Sequence, residues 1–168
     1  YAILYRSNAL SRTFETSLSR SSIPYKIVGG LRFYDRKEIK DILSYLALLN
    51  NPYDSIRFRR VINEPKRGIG DATIDEIIRI SEGLGISPLD VCRDAGRFET
   101  LSRKTNALKA AANIFDELDE LSDTLRLDEL IDAVVEKSGY AQMIKALGDE
   151  GASRMENVNE LKSNALEL

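Results

Sequence analysis

Apolar positions along this 168-residue chain follow two different periods. The opening segment, Tyr1-Ala2-Ile3-Leu4-Tyr5-Arg6, is a short continuous apolar and aromatic run, which predicts a buried strand. Leu10, Phe14 and Leu18 then recur at i, i+4 and i+8, the spacing of one helix face, and predict a helix over 10–19. Ile23-Pro24 interrupts it, and Tyr25-Lys26-Ile27-Val28 predicts a second strand that stops at Gly29-Gly30. Strand, helix and strand within thirty residues make a short βαβ unit with parallel strands. Such a unit is too small to fold alone, so further strands are expected from outside it.

Beyond Gly30 the period is helical throughout. Ile39, Ile42, Leu43, Leu46 and Leu49 form one stripe, predicting a helix over 36–49 that ends at Asn50-Asn51-Pro52. A shorter helix is predicted over 55–63, ended by Pro65. Ile74, Ile77 and Ile78 mark a helix over 71–82 closed by Gly83 and Gly85. Ser87-Pro88 reads as a helix start, with proline in the first turn. Leu108, Ala111, Ala112, Phe115 and Leu118 define a long helix over 102–121, and further helices are predicted over 127–137, 140–147 and 153–166. The fold class is therefore mainly α: an α-helical domain over 29–168, preceded by the βαβ fragment over 1–28.

Composition narrows the function classes. The chain is 43% hydrophobic and 30% charged, as soluble globular domains are. No apolar run reaches the length of a membrane span, so no membrane partner is expected. A single cysteine, Cys92, allows no internal disulfide and fits a reducing, cytoplasmic setting. Without histidine, a zinc site or a histidine-based catalytic dyad is excluded. Paired acids such as Asp116, Glu117, Asp119 and Glu120 read as a solvated helix face, so no metal site is expected. No catalytic residue stands out.

The net charge of −3 hides an asymmetry. Residues 1–70 hold 13 Lys/Arg against 6 Asp/Glu, a net of +7, whereas residues 71–168 hold 11 against 21, a net of −10. A basic half joined to an acidic one points to polyanion binding by the first, or to a basic protein partner for the second. The chain also opens at Tyr1 inside an apolar run, which reads as a piece of a longer polypeptide.

The densest chemistry lies at Pro65-Lys66-Arg67-Gly68-Ile69-Gly70-Asp71-Ala72-Thr73. Two glycines flank one aliphatic residue directly before a helix. Glycine permits a tight turn and a close backbone approach, and the N–H groups at a helix start favour an anion. Lys66 and Arg67 add charge, with Arg57, Arg59 and Arg60 just upstream. This is the composition of a phosphate clamp on a nucleic-acid backbone, with Ile69 as the peg that fixes the turn. The alternative is a plain helix–helix turn. Arg6-Ser7-Asn8, at the carboxyl end of the first predicted strand, suits a phosphate and a base edge, or else Asn8 merely caps the next helix. Leu31-Arg32-Phe33-Tyr34-Asp35-Arg36-Lys37 offers aromatics beside charges that suit nucleic acid, or a salt-bridged hinge at a helix start.

These blocks resemble one family. Tyr5-Arg6-Ser7-Asn8-Ala9-Leu10-Ser11-Arg12, Ile23-Pro24-Tyr25, Gly29-Gly30-Leu31-Arg32-Phe33-Tyr34-Asp35-Arg36-Lys37-Glu38-Ile39-Lys40-Asp41, Pro65-Lys66-Arg67-Gly68-Ile69-Gly70 and Ser153-Arg154-Met155-Glu156-Asn157 are similar, in order and spacing, to the UvrD/PcrA/Rep group of superfamily 1 DNA helicases. Leu10 departs from the pattern, standing where the family usually has glutamine. The resemblance implies that residues 1–28 belong to the second RecA-like motor domain, called 2A, and residues 29–168 to the helical 2B domain inserted in it. It implies a helix-hairpin-helix-like duplex DNA contact at Lys66, Arg67, Gly68, Ile69, Gly70 and Thr73, and a single-stranded DNA contact at Arg6 and Asn8. The parent would be a 3′-to-5′ helicase using ATP and Mg²⁺, in DNA repair or replication. This piece would hold no cofactor, hydrolyse no ATP by itself, and work beside the remaining helicase domains and repair or replication proteins.

Overall fold

The computed structural model describes residues 1–5, 10–27 and 32–166, and these residues fold into α-helices joined by turns. In chain order the helices are α1 (Ser11–Arg20), α2 (Lys37–Asn50), α3 (Ser55–Val61), α4 (Asp71–Leu84), α5 (Pro88–Arg93), α6 (Thr105–Ser122), α7 (Leu127–Lys137), α8 (Tyr140–Lys145) and α9 (Asp149–Ala165). Short 3₁₀ segments precede α2 at Phe33–Asp35 and α6 at Ala95–Arg97 and Glu99–Lys104. No strand forms among the described residues, so they do not show the βαβ unit expected over 1–28. The physical reason is the one its size suggests: a strand needs ladder partners, and Ile3 and Leu4 instead stand exposed.

Helix α2 is the centre of the domain, packed by α3, α6, α7 and α9. Its apolar stripe is buried at Ile39, Ile42, Tyr45 and Leu48. Being surrounded, it also buries polar residues that a one-sided stripe would leave in water: Glu38, Asp41 and Ser44. Buried charge is tolerated only when paired, and each carboxylate is. Asp41 accepts from the Tyr140 hydroxyl at 2.6 Å and pairs with Lys37 at 2.7 Å and Arg60 at 2.8 Å. Tyr140 is correspondingly held protonated, its hydroxyl pushed up by burial and then by Asp41.

A second buried network joins three helices. The Arg36 guanidinium donates to Asn157 Oδ1 on α9 at 2.7 Å and to Ser11 Oγ on α1 at 2.6 Å. Asn157 donates to Glu38 Oε1 at 2.6 Å, and Ser11 donates to Glu15 Oε1 at 3.0 Å. Phe33 is fully buried beneath Arg36, while Tyr34 is exposed with the Arg12 guanidinium over its ring. In the described part of 31–40 the aromatics thus pack with protein cations at a helix start, where Lys40 and Asp35 also pair at 2.9 Å.

Local chemistry explains most boundaries. Ser87 and Asp90 form a reciprocal capping box that starts α5 at Pro88. Helix α9 begins at Asp149, four residues ahead of the expected start, because Gly151 does not break it. A Cβ at Gly151 would come within 2.0 Å of the Ile144 carbonyl, so glycine there lets α8 and α9 cross closely. Among the described residues no helix is long and apolar enough to cross a membrane. No group of three or more potential metal ligands gathers there either.

Candidate nucleic-acid interface

The connector from α3 to α4 carries the Gly-Ile-Gly turn, and its shape is set from inside. Ile69 is fully buried. Gly68 lies at φ +72°, a left-handed conformation that glycine adopts at no steric cost. The Asn63 side-chain oxygen accepts the N–H groups of Arg67 at 2.7 Å and Ile69 at 3.2 Å, closing the turn. Sequence reasoning misses Asn63; its signal is an asparagine just ahead of Pro65, a residue type whose side chain bonds nearby backbone.

Arg67 points into the protein. Its Nη1 donates to the carbonyls of Val61 and Ile62 at 3.1 Å and of Pro65 at 3.2 Å. Its Nη2 donates to the Tyr45 hydroxyl at 2.8 Å and the Ser138 carbonyl at 2.9 Å. The Tyr45 hydroxyl in turn donates to the Glu64 carbonyl at 2.7 Å. Burial pushes the Tyr45 phenol up, an effect that Arg67 opposes. The guanidinium therefore ties α2, the turn and the end of α7 together.

The other cations of the basic stripe are also largely engaged. Arg60 pairs with buried Asp41, Arg57 donates to Ser44 at 3.2 Å, and Arg59 pairs with Asp75 across an exposed gap between α3 and α4. Lys66 is exposed and has no side-chain partner among the described residues. An exposed ion pair contributes roughly 0–1 kcal/mol, so Arg59 can exchange Asp75 for another anion at little cost.

Around Lys66 the outward face is mostly backbone. Gly68, Gly70, Asp71 and Ala72 are exposed. The N–H groups of Gly70, Asp71 and Ala72 find no acceptor among the described residues, the first bonds of α4 running from Thr73 and Ile74 to the Gly70 carbonyl. These donors open a fourteen-residue helix, where its dipole favours negative charge. Asp71 already supplies one carboxylate there, so an incoming anion must outcompete it with the help of Lys66. Gly70 itself, at φ −84° and ψ 167°, has ordinary extended backbone, and a Cβ added there would meet nothing within 4 Å. Thr73 is half-buried one turn into the helix. The structure thus gathers Lys66, Gly68, Gly70 and Thr73 at one helix start and turns Arg67 and Ile69 inward. Arg6 and Asn8 lie outside the described residues.

The family model of the UvrD-like helicase C-terminal domain matches residues 1–167. The chain belongs to the UvrD-like helicase family. It is 42% identical over 99% of its length to the ATP-dependent DNA helicase UvrD1 of Mycobacterium tuberculosis. It is 40% identical over 96% of its length to the ATP-dependent DNA helicases PcrA of Bacillus subtilis and of Staphylococcus aureus. In each case the chain spans 22% of the relative's length. This UvrD-like segment therefore corresponds to about a fifth of such a helicase, and the Gly-Ile-Gly turn falls within it.

Proposed function

We propose that this chain is a DNA-binding accessory region of an ATP-dependent 3′-to-5′ DNA helicase, and that it grips duplex DNA through phosphates at the 66–73 turn while the motor domains pull one strand. The observation that carries this is the conjunction of three unpaired backbone donors at the start of α4 with Lys66, the one cation of residues 57–70 without a side-chain partner among the described residues. Backbone donors and a lysine recognise phosphate and carry no base code, so binding should ignore sequence. Membership of a family whose relatives are named DNA helicases supports the ligand class. In this reading residues 1–28 belong to the motor domain, with Arg6 and Asn8 on the single-strand path. Gly68 shapes the turn, and Gly70 gives the phosphate room.

Lys66→Ala tests the reading. Affinity for duplex should fall alike for unrelated sequences, and the slope of log affinity against log salt should flatten by about 1. Titrating two duplexes of different sequence by fluorescence anisotropy at several salt concentrations reads both effects. An unchanged slope would exclude Lys66 from the phosphate contact.

A further inference from the structure

A second group of free cations stands at the junction of the α5–α6 connector with α6. Residues 71–168 hold 21 Asp/Glu, yet residues 100–115 hold Arg103, Lys104 and Lys109 and no carboxylate. All three are exposed, and none forms an ion pair or a side-chain hydrogen bond among the described residues. The backbone that carries Arg103 and Lys104 is fixed. Leu101 is buried, and Thr100 Oγ1 donates to Glu76 Oε1 on α4 at 2.8 Å. Ser102 Oγ donates to the Glu99 carbonyl at 2.7 Å, and Thr105 Oγ1 to the Ser102 carbonyl at 3.0 Å. The side of α6 that follows is open: Asn106, Lys109 and Asn113 are exposed ahead of its first carboxylate, Asp116, which pairs with Arg93.

Thr100 also locates this patch relative to the 66–73 turn. Its partner Glu76 stands one turn of α4, about 5 Å along the axis, from exposed Ala72 and on the same face. Arg103 follows Thr100 by one 3₁₀ turn, about 6 Å. The two cation groups are therefore neighbours on either side of the first turns of α4. The carboxylates between them are engaged, Glu76 with Arg79 at 2.7 Å and Asp75 with Arg59. Glu99, the single acid over 95–115, leaves the patch net positive. A duplex carries one phosphate charge per about 1.7 Å of its axis, so a duplex seated at one group presents phosphates to the other.

We propose that Arg103, Lys104 and Lys109 form a second phosphate contact, on the same duplex that the 66–73 turn holds. The proposal rests on the duplex reading of that turn and adds a direction to it. One contact leaves a rod free to pivot, whereas two fix its axis against the domain.

The test is fluorescence anisotropy of the full chain with a labelled duplex at several salt concentrations. Arg103→Ala with Lys104→Ala removes two unpaired exposed side chains, so the variant should melt within about 2 °C of the parent. The slope of its log affinity against log salt should flatten by about 2, and affinity at about 50 mM salt should fall tenfold or more. Lys109→Glu, a separate variant, should also weaken binding. Arg20→Ala with Lys145→Ala removes the same charge away from both connectors and should leave the slope unchanged. Stoichiometry should stay at one duplex per chain. If the parent binds and Lys66→Ala flattens its slope, an unchanged slope in the Arg103/Lys104 variant would overturn this proposal alone. Unchanged affinity in Lys109→Glu, equal flattening by the Arg20/Lys145 control, or two duplexes per chain would overturn it as well. Absence of duplex binding by the parent would overturn both this proposal and the reading on which it rests.

Discussion

Arg67→Ala destabilises the domain by about 3 kcal/mol and lowers its melting temperature by roughly 10 °C, because four carbonyls and a phenol lose their shared donor. The five bonds reach α2, the turn and Ser138 at distances of 2.8 to 3.2 Å. Arg67→Lys should recover less than half of the loss, since one ammonium lacks the planar fork that spans these acceptors. Thermal melts followed by circular dichroism measure both variants. A melting temperature within about 2 °C of the parent for Arg67→Ala would contradict the structural role. The consequence for binding studies is direct: replacing Lys66 and Arg67 together mixes a folding defect with a contact defect, so Lys66 alone is the informative change.

Gly68→Ala and Gly70→Ala should fail in opposite ways. Gly68 occupies φ +72° with open space around it, so a methyl there costs backbone conformational energy, about 1 kcal/mol or more. Gly70 lies in an extended region open to any residue. Alanine there is a poorer N-cap but restricts the unfolded chain, two effects of under about 1 kcal/mol that oppose each other. Stability should therefore hold in Gly70→Ala while duplex affinity falls on the order of tenfold, about 1.4 kcal/mol, because the added Cβ stands in the phosphate's path. Gly68→Ala should melt earlier, and its folded fraction should lose less affinity. Equal affinity for the parent and Gly70→Ala, both folded, would mean that no ligand approaches that backbone.

The helical half was legible because its period was. Leu108, Ala111, Ala112, Phe115 and Leu118 all lie buried on α6, and the Ser87-Pro88 signal starts α5. Ile69 is the buried residue of its turn, as its flanking glycines suggested. What periodicity could not reveal was how completely α2 is surrounded, since burial of Glu38, Asp41 and Ser44 depends on partners from α3, α8 and α9 far along the chain. The same limit applies to the site. A run of five basic residues over 57–70 looks like one electrostatic surface in sequence, but Asp41, Asp75 and the carbonyls around Tyr45 take up most of it once folded. The apolar stretch at 1–5 reads as a strand by residue type, yet strand formation is a property of neighbours, and none pairs with it among the described residues.

The central claim is a sequence-blind phosphate grip on duplex DNA, and the salt dependence of binding tests it most directly. Affinity of the parent chain for two unrelated duplexes should fall together as salt rises, with a slope of log affinity against log salt of about −2 or steeper, as release of counterions from two or more phosphates requires. No duplex binding at about 50 mM salt, a flat salt response, or a marked preference between the two sequences would contradict it.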